Sequence, residues 1–357
     1  MVGADGVLPL PWLEPVLRHA LQARNAHALL LHGPQGVGQF ELALTLAQAW
    51  LCERGARQGE GAGTPPCGAC ASCRLVQAHS HPDLLVLLPA VLHEALRWGA
   101  VDGDEAPTDR AGKAKPSKEI KVEAVRAAVG FAQTTSARGR GKVVVVHPAE
   151  RMNAISANTL LKTLEEPPGD ARFVLSSTAP DALLPTVRSR CQAIAMGLPP
   201  APQAVAWLAA QGVADAATLL AATGGQPQEA LDWSREGIDA ALWSRVPALV
   251  RNGESAAFGA WPLPRVVDAL LKLGHDAACA SVGAVPRYFP PASIQPGADG
   301  VALAAWMHEL KRVARHAEHP WNAVLLIESL VQQGGRALVG AGRAVTLAGV
   351  GSVHSRP

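Results

Sequence analysis

Residues 29–40 read LLLHGPQGVGQF, and this stretch decides the fold of the first part of the chain. Its apolar start predicts a buried parallel strand, and the apolar periodicity that begins near Glu41 predicts a helix. A glycine-rich turn between such a strand and such a helix is the layout of a phosphate-binding loop, in which backbone N–H groups and a helix N-terminus face an anion. An ordinary glycine-rich turn from strand to helix gives the same pattern, so this stretch alone leaves both interpretations open.

The loop keeps the glycines of a phosphate-binding loop but lacks the two side chains that act on the nucleotide. Gly33, Gly36 and Gly38 fall in place for the pattern G-x-x-x-x-G-K-[ST]. Gln39 occupies the lysine position and Phe40 the hydroxyl position. Gln39 has no charge to set against the β- and γ-phosphates, and Phe40 has no oxygen for Mg²⁺. We therefore expect that this chain neither binds nor hydrolyses ATP.

The second half of a nucleotide site is also altered. Residues 143–146, VVVV, predict a central parallel strand. In an active ATPase of this kind an acidic pair follows the strand, one residue holding Mg²⁺ and the other orienting the attacking water, whereas this chain has His147 and Pro148 there. Glu150 lies out of register with that pair and is not expected to replace it. Losses at both ends of one site argue against hydrolysis more strongly than either loss alone.

Four of the six cysteines have the spacing C-x14-C-x2-C-x2-C. They are Cys52, Cys67, Cys70 and Cys73. Short C-x2-C steps let neighbouring thiolates converge on one ion, and a fourth thiolate from the end of the preceding helix closes a tetrahedron. The spacing therefore predicts a structural Zn²⁺ site. An iron–sulfur centre could use similar steps, and His79 and His81 are spare ligand candidates. Cys191 and Cys279 are isolated and are expected to be small buried residues.

Composition and charge indicate a folded protein with no dominant charged partner. The 357 residues are 48% hydrophobic and 17% charged, which is typical of two or three globular domains. A net charge of +2 favours neither a nucleic-acid surface nor a membrane surface as the main partner. The N-terminus lacks a basic stretch followed by a long apolar run, and no apolar run reaches membrane-spanning length. We expect a cytoplasmic protein whose cysteines are reduced.

The middle of the chain alternates helices and strands, and the last part is helical. Residues 156–191, SANTLLKTLEEPPGDARFVLSSTAPDALLPTVRSRC, predict a helix at 156–166, a strand at 172–177 and a short helix near 181–184. This alternation is typical of a doubly wound α/β domain. From about residue 237 the pattern is all-α, with helices predicted at 238–251, 261–274, 300–317 and 321–333.

Two polar stretches interrupt these patterns. Residues 90–118 lose periodicity, contain prolines and carry mixed charge, so a flexible surface insertion is expected. Residues 136–142, SARGRGK, form a basic loop with Arg138, Arg140 and Lys142. A solvated turn is the main interpretation of this loop, and contact with a nucleic-acid backbone is the alternative.

Three further motifs resemble a known family. The run LLKTLEEPP at residues 160–168, the SST at 176–178 and the Ser-Arg-Cys at 189–191 resemble the bacterial clamp-loader subunits of DNA polymerase III, within the AAA+ superfamily. The resemblance covers about residues 10–235 with specific motifs and is only architectural beyond them. Two branches of that family carry a four-cysteine zinc module, and the motor branch, gamma/tau, keeps the lysine, the hydroxyl and the acidic pair. This chain is similar to the branch that does not hydrolyse ATP.

The resemblance implies a domain order for the chain. It implies an AAA+ domain of the RecA-like type at residues 1–198, with the zinc module at 52–78 and the insertion at 90–118. A small helical lid would follow at 199–236. The remaining regions implied are a helical collar that joins subunits in a ring, at 237–335, and a flexible tail at 336–357.

The resemblance also implies how the chain would work. In these assemblies the arginine of Ser-Arg-Cys, here Arg190, reaches across a subunit interface to the ATP of the neighbouring gamma/tau motor. The partners implied are gamma/tau and delta in a hetero-pentamer, with the sliding clamp and primer-template DNA met through the complex, and no membrane. The resemblance implies that the chain is part of the DNA polymerase III holoenzyme, and no catalysis is expected from this chain alone. The alternatives are an active P-loop ATPase of the motor type and a zinc-containing DNA-binding scaffold.

Overall fold

The computed structural model describes residues 1–23, 26–54, 64–99, 116–316 and 321–339, which form two compact units. The first unit comprises residues 1–210 together with 226–229, and the second comprises 211–225 together with the chain from residue 230 onward. Within the described part of the chain, no helix combines the length and the apolar content that a membrane span requires.

A five-stranded parallel sheet forms the centre of the first unit. Its strands are β1 (Ala28–His32), β2 (Leu84–Leu87), β3 (Val143–Val146), β4 (Arg172–Ser177) and β5 (Gln192–Ala195). They lie in the order β2-β3-β4-β1-β5, and every neighbouring pair is parallel. Because all strands run the same way, the loops after their carboxyl ends meet at one edge of the sheet and the loops before them meet at the other. This architecture confirms the predicted α/β, RecA-like domain.

Helices cover both faces of this sheet. In the described part of the unit they are α1 (Glu14–Gln22), α2 (Gln39–Leu51), α3 (Ala71–Gln77), α4 (Ala90–Leu96), α5 (Val122–Gln133), α6 (Ala154–Glu165), α7 (Pro185–Arg188) and α8 (Ala201–Ala210). Successive strand residues point to opposite faces, so Leu29 and Leu31 pack with α1 and α2, whereas Leu30 packs with α5 and α6. Helix α2 is buried at every residue except Glu41, which makes it the central helix behind the glycine loop.

Helix α4 corrects one prediction. The composition predicts a flexible insertion over residues 90–118, but the first part of this segment is the helix Ala90–Leu96. Leu92 and Leu96 are partly buried against the core, and Trp98 is buried in it. Tertiary contacts therefore order a segment whose own periodicity is weak. The rest of the predicted insertion, residues 100–115, lies outside the described residues.

The second unit is all-α, as predicted. Its helices are α9 (Ala216–Ala222), the latter part of α10 (Pro227–Arg235), α11 (Ala240–Arg251), α12 (Leu263–Ser281), α13 (Gly300–Arg315) and α14 (Ala323–Val339). Trp243 is buried in the core and stacks on Phe289 with ring centroids 4.4 Å apart. Asp276 is fully buried and accepts hydrogen bonds from the backbone N–H groups of residues 287–289. These bonds tie the loop after α12 to the helix.

The C-terminal helix runs further than its sequence predicts. The pattern predicts an end at residue 333, but α14 continues through Gly334 and Gly335. A Cβ atom on Gly334 would lie 2.5 Å from the Trp306 side chain, so these glycines allow close packing instead of ending the helix. The predicted tail, residues 336–357, therefore starts inside a helix, and residues 340–357 lie outside the described part of the chain.

Candidate functional site

The loop between β1 and α2 has a backbone shape that requires its glycines. Gly36 and Gly38 have φ angles of +72° and +100°, in the left-handed region. A Cβ atom on Gly33 would lie 2.2 Å from the carbonyl oxygen of Met196, and one on Gly38 would lie 2.4 Å from Leu10. The local structure thus explains all three glycines whatever the loop binds.

The side chain of Gln39 is directed back onto this loop. It is buried, and its Nε2 atom donates to the carbonyl oxygen of Gly33 at 2.9 Å and to that of Pro34. The indole Nε1 of Trp12 donates to the carbonyl oxygen of Val37 at 2.8 Å. These bonds tie the loop to itself and to the N-terminal segment. The group at the lysine position therefore supports the loop instead of extending toward a phosphate.

Phe40 and His147, the replacements at the two ends of the predicted nucleotide site, are in contact. Their ring centroids are 4.7 Å apart with an interplanar angle of 31°. Trp98 packs edge-on against Phe40 at 6.3 Å. The Nδ1 atom of His147 and the Oγ of Ser176 share a hydrogen bond of 2.8 Å. Where an active ATPase has a hydroxyl and a carboxylate for Mg²⁺, this chain has an aromatic contact.

The titratable groups at this position are a buried histidine and a hydrogen-bonded glutamate. Burial lowers the pKa of His147 to about 4, although the nearby Glu150 acts in the opposite direction, so the ring is neutral at pH 7. Glu150 accepts hydrogen bonds from the backbone N–H and the Oγ1 of Thr178 at 2.9 and 2.8 Å. Burial alone would raise the pKa of Glu150, but hydrogen bonds, including these two, outweigh it and lower that pKa. The Glu150 carboxylate is thus ionised and engaged with the end of β4.

A second carboxylate lies at the start of α2. Glu41 is in the first turn of the helix, where the helix dipole favours an anion. It accepts a hydrogen bond of 2.6 Å from the Nε2 of Gln228, whose backbone N–H points to the carbonyl oxygen of Gly36 at 3.4 Å. The helix N-terminus that would face a phosphate therefore has a negative side chain of its own.

The four cysteines of the predicted metal site meet at one point. The Sγ atoms of Cys52, Cys67, Cys70 and Cys73 all lie within 4.8 Å of one another. Two of the Sγ pairs, 52–70 and 67–73, are each 3.9 Å apart. A tetrahedron with metal–sulfur bonds of about 2.3 Å has sulfur–sulfur edges of about 3.8 Å. The group can therefore hold a metal ion.

Two helix ends bring these cysteines together. Cys52 directly follows α2, and Cys70 caps the start of α3, where its sulfur accepts a hydrogen bond from the backbone N–H of Cys73. The proximity of Cys73 is the main cause that lowers the pKa of Cys52 to about 4, and the proximity of Cys52 raises the pKa of Cys73. The cluster thus stabilises a thiolate, which is the form of cysteine that binds metals.

The two spare histidines lie outside the cysteine group. His79 stacks on Trp98 with ring centroids 3.9 Å apart. His81 is buried, and its Nδ1 accepts a hydrogen bond of 3.0 Å from the backbone N–H of Asp83. Burial lowers the pKa of His81. Among the described residues, the group of converging ligand atoms consists of the four cysteines without either histidine.

An aspartate stabilises the basic loop of residues 136–142, and the sequence pattern does not predict this contact. Asp83 is fully buried, accepts two backbone N–H bonds of 2.8 and 2.9 Å from the loop, and pairs with Lys142 at 3.0 Å. Arg138 pairs with Glu53 at 2.5 Å, next to the cysteine cluster. Two of the three basic side chains are therefore in ion pairs within the chain, which favours a structural turn over contact with a nucleic-acid backbone.

Arg190 lies at the edge of the sheet opposite the glycine loop. It precedes β5, whereas the loop follows the carboxyl end of β1, and a five-residue strand separates the two edges by about 16 Å. Arg190, His27 and Gln192 line an open groove of about 510 Å³. The predicted site residues thus form separate sites, and Arg190 cannot act on a ligand in its own loop.

Three contacts hold the guanidinium of Arg190. Its Nε and Nη2 atoms donate to Oε2 of Glu165 at 3.1 and 2.8 Å, and its Nη1 donates to the carbonyl oxygen of Thr186 at 3.0 Å. Arg188 is held separately, by an ion pair of 2.6 Å with Asp181. The sequence pattern predicts neither carboxylate partner, since no spacing rule links these positions.

Comparison with known proteins gives one consistent family. The model of the family described as "DNA polymerase III, delta subunit" matches residues 13–199. The DNA polymerase III subunit delta′ of Pseudomonas aeruginosa is 34% identical over 336 residues, which cover 87% of this chain and 92% of that protein. The DNA polymerase III subunit delta′ of Escherichia coli is 31% identical over 290 residues, covering 75% of this chain and 78% of that protein.

A second kind of DNA polymerase III subunit is similar to a smaller share of the chain. The DNA polymerase III subunit tau of Escherichia coli is 33% identical over 168 residues, which cover 47% of this chain and 21% of that protein. The family model and these two delta′ relatives cover more of this chain than the tau match does. The chain therefore belongs to the DNA polymerase III delta subunit family.

Proposed function

We propose that this chain acts as a non-hydrolysing, delta-prime-type subunit of the bacterial DNA polymerase III clamp loader. In this role it takes part in loading the sliding clamp on primed DNA during replication, and it lends Arg190 to the ATP of an adjacent gamma/tau motor. Family membership and the identity to delta′ and tau proteins support the role in the polymerase. The chain is a non-catalytic part of the holoenzyme.

The contact between Phe40 and His147 is the observation that carries the non-hydrolysing role. Hydrolysis of ATP by this type of site needs Mg²⁺ to bridge the phosphates and neutralise the charge that develops on transfer. Phe40 and His147, whose rings lie 4.7 Å apart, supply none of the oxygen ligands that Mg²⁺ prefers. Gln39, bonded to loop carbonyls, supplies no cation. We therefore assign no ATP hydrolysis to the glycine loop of this chain.

The position of Arg190 supports action on a neighbouring subunit. Arg190 stands at the amino edge of the sheet with its side chain 30% exposed, while its own glycine loop lies at the carboxyl edge. A guanidinium presented to a neighbour's γ-phosphate neutralises charge in the transition state, and such an arginine changes the rate by about 10³ to 10⁵. Arg190 would thus stimulate hydrolysis that this chain does not perform.

The cysteine cluster fits structural Zn²⁺. Four sulfur ligands in a closed tetrahedral arrangement are typical of structural zinc, and the sulfur separations of 3.9 Å match that geometry. Cys52, Cys67, Cys70 and Cys73 would hold the ion, which would supply a cross-link between the end of α2 and the start of α3. Because all four positions are thiolates of this chain, no place is left for a reacting water, and we assign the ion no catalytic part.

The partners follow from the family. We place the chain in a hetero-pentamer with gamma/tau and delta in the bacterial cytoplasm, where it meets the sliding clamp and primer-template DNA through the complex. Residues 1–198 would be the AAA+ domain and 199–236 its lid. The helices of residues 237–335 would form the collar that joins the subunits.

Replacement of Arg190 tests this proposal. In an assembly of the motor subunits, delta and this chain, Arg190→Ala should leave assembly intact and lower DNA-stimulated ATP turnover. The turnover is lost at the motor site beside this chain, where an arginine of this kind raises the rate of ATP hydrolysis by up to about 10³- to 10⁵-fold. Arg188→Ala is the matched control, because Arg188 pairs with Asp181 in the same segment, and it should leave turnover unchanged. Unchanged turnover and clamp loading in an assembled Arg190→Ala complex would refute the proposal.

A further inference from the structure

The contacts of the Arg190 guanidinium point to a role for Glu165. We propose that Glu165 is a positioning residue, which orients Arg190 toward the phosphate of a nucleotide held by a neighbouring subunit. The inference rests on the proposed function of Arg190 and adds a second residue of this chain to it.

The hydrogen bonds leave the outer donors of the guanidinium available. A guanidinium has five N–H donors in a planar fork. Glu165 receives two of them on a single oxygen, from Nε and Nη2, and Thr186 receives one from Nη1. One N–H therefore remains on each terminal nitrogen, and no other acceptor among the described residues contacts them. Two such donors are suited to the oxygens of a phosphate.

The two acceptors belong to helices, so they define a fixed direction for the side chain. Glu165 is the last residue of α6 and Thr186 lies in α7. An arginine side chain has several rotatable bonds, and holding it in one geometry before the ligand arrives removes an entropic cost from the reaction. The partners of Arg190 thus supply orientation from two elements of the fold.

A contribution to folding stability explains the ion pair of Glu165 and Arg190 less well than positioning does. The Glu165 side chain is 59% exposed and that of Arg190 is 30% exposed, and ion pairs at such exposure contribute little to folding. The neighbouring pair of Arg188 and Asp181 uses one guanidinium nitrogen for its carboxylate, and Asp181 is 97% exposed. Arg190 is held by all three of its nitrogens, which is the arrangement expected where direction matters.

The test compares Glu165 variants in the full assembly with motor subunits, delta, clamp and primed DNA. The turnover that depends on Arg190 is the difference between the assembly with the unaltered chain and that with Arg190→Ala. We expect Glu165→Ala to lower this difference by about tenfold through kcat, with KM for ATP unchanged, since a misplacement of about 1 Å can cost up to about 10²-fold. Glu165→Gln should retain most of it, because the amide oxygen still accepts both N–H bonds.

Two further variants show whether Glu165 acts through Arg190. The double variant Glu165→Ala/Arg190→Ala should have the turnover of Arg190→Ala alone, since Glu165 has nothing left to position. Glu166→Ala is the control for loss of a neighbouring carboxylate. Glu166 caps α6 through its backbone N–H, which the substitution keeps, so this variant should have no effect on turnover. Glu165→Lys keeps the inference testable if Glu165→Ala fails to assemble: a cation beside Arg190 should lower kcat at least as much.

The outcomes separate this inference from the proposed function. If Arg190→Ala lowers turnover but Glu165→Ala and Glu165→Lys do not, Glu165 is not a positioning residue while the role of Arg190 stands. An equal loss from Glu165→Ala and Glu165→Gln would also overturn positioning, because it would mean that the charge matters and not the acceptor. If Arg190→Ala itself has no effect, the proposed function fails and this inference with it.

Discussion

Phe40 and His147 are the two single residues on which the proposed loss of ATP hydrolysis depends most. Each is visible in the sequence as the loss of one ligand, a hydroxyl after the loop and a carboxylate after β3. The structure adds that the two replacements pack on each other at 4.7 Å. This contact depends on the packing of α2 against β3, which no local sequence pattern contains. The sequence thus predicts the missing chemistry, and the fold shows what replaces it.

Protonation of His147 should make stability depend on pH. Its pKa in the folded chain is about 4, below the value of about 6.5 for an unfolded histidine, so the unfolded chain binds this proton more readily. The contribution of the neutral His147 ring to the free energy of unfolding is complete above about pH 6.5. It is lost as the pH falls toward 4, and the loss is at most about 3 kcal/mol. We expect the difference in unfolding free energy between the unaltered chain and His147→Gln to shrink over this range. A difference that stays constant from pH 7.5 to 4.5 would contradict the assignment.

Residues whose roles depend on partners far away in the sequence could not be predicted from the sequence pattern. Asp83 holds the loop of residues 136–142, and Glu165 holds Arg190. Both are ordinary acidic residues in the sequence, and neither has a helix-spacing relation to its partner. The resemblance to a family identifies Arg190 but not the carboxylate that contacts it.

Among the elements, the cysteine module was the easiest to predict. The C-x2-C steps alone bring three thiolates near one point, and the fourth follows from the end of α2. The cysteine spacing does not predict that the N-terminal segment of the chain packs on this module. The backbone N–H of Val2 donates to the Oε1 of Gln48 at 2.8 Å, and the Nε2 of Gln77 donates to the carbonyl oxygen of Val2 at 2.9 Å. The module therefore also secures the start of the chain.

Substitution of one cysteine should release the metal and loosen the module. We expect Cys67→Ser or Cys70→Ser to lower the zinc content of the purified chain and to speed amide hydrogen exchange in α3, because metal binding contributes to local folding. Cys191→Ser is the control, since burial raises the pKa of Cys191 to about 12 and it lies outside the cluster. Elemental analysis together with exchange mass spectrometry measures both effects. Native protein that contains no zinc would rule the assignment out.

Helix ends were less predictable than helix positions. Gly334 and Gly335 have the composition of a helix stop, yet they lie inside α14 where it packs closely on Trp306. Helix α4 forms where the composition predicts a flexible insertion, because Leu92 and Trp98 reach the core. In both cases tertiary packing overrides the local signal.

For the whole molecule, alternation of strands and helices was enough to predict the class of each part. The first unit is a parallel sheet with helices on both faces, and the second is helical. The order of the strands needed the structure, since several orders satisfy the same alternation. The division into units falls within residues 199–236, so the predicted boundaries of the lid stay a prediction.

The two edges of the sheet carry different residues, and we infer different roles for them. The carboxyl edge holds a glycine loop whose functional positions are filled by Gln39, Phe40 and His147. The amino edge presents Arg190 in an open groove. Under the proposed function, this chain would contribute to ATP hydrolysis only as the neighbour of a subunit that holds the nucleotide.

Equilibrium binding of Mg²⁺·ATP to the purified chain tests the central claim most directly, with a gamma/tau motor subunit measured alongside as the positive control. We expect no saturable binding by this chain at concentrations that saturate the motor. Saturable binding comparable to that of the motor, removed when Gly38 is replaced by aspartate in a folded variant, would contradict it.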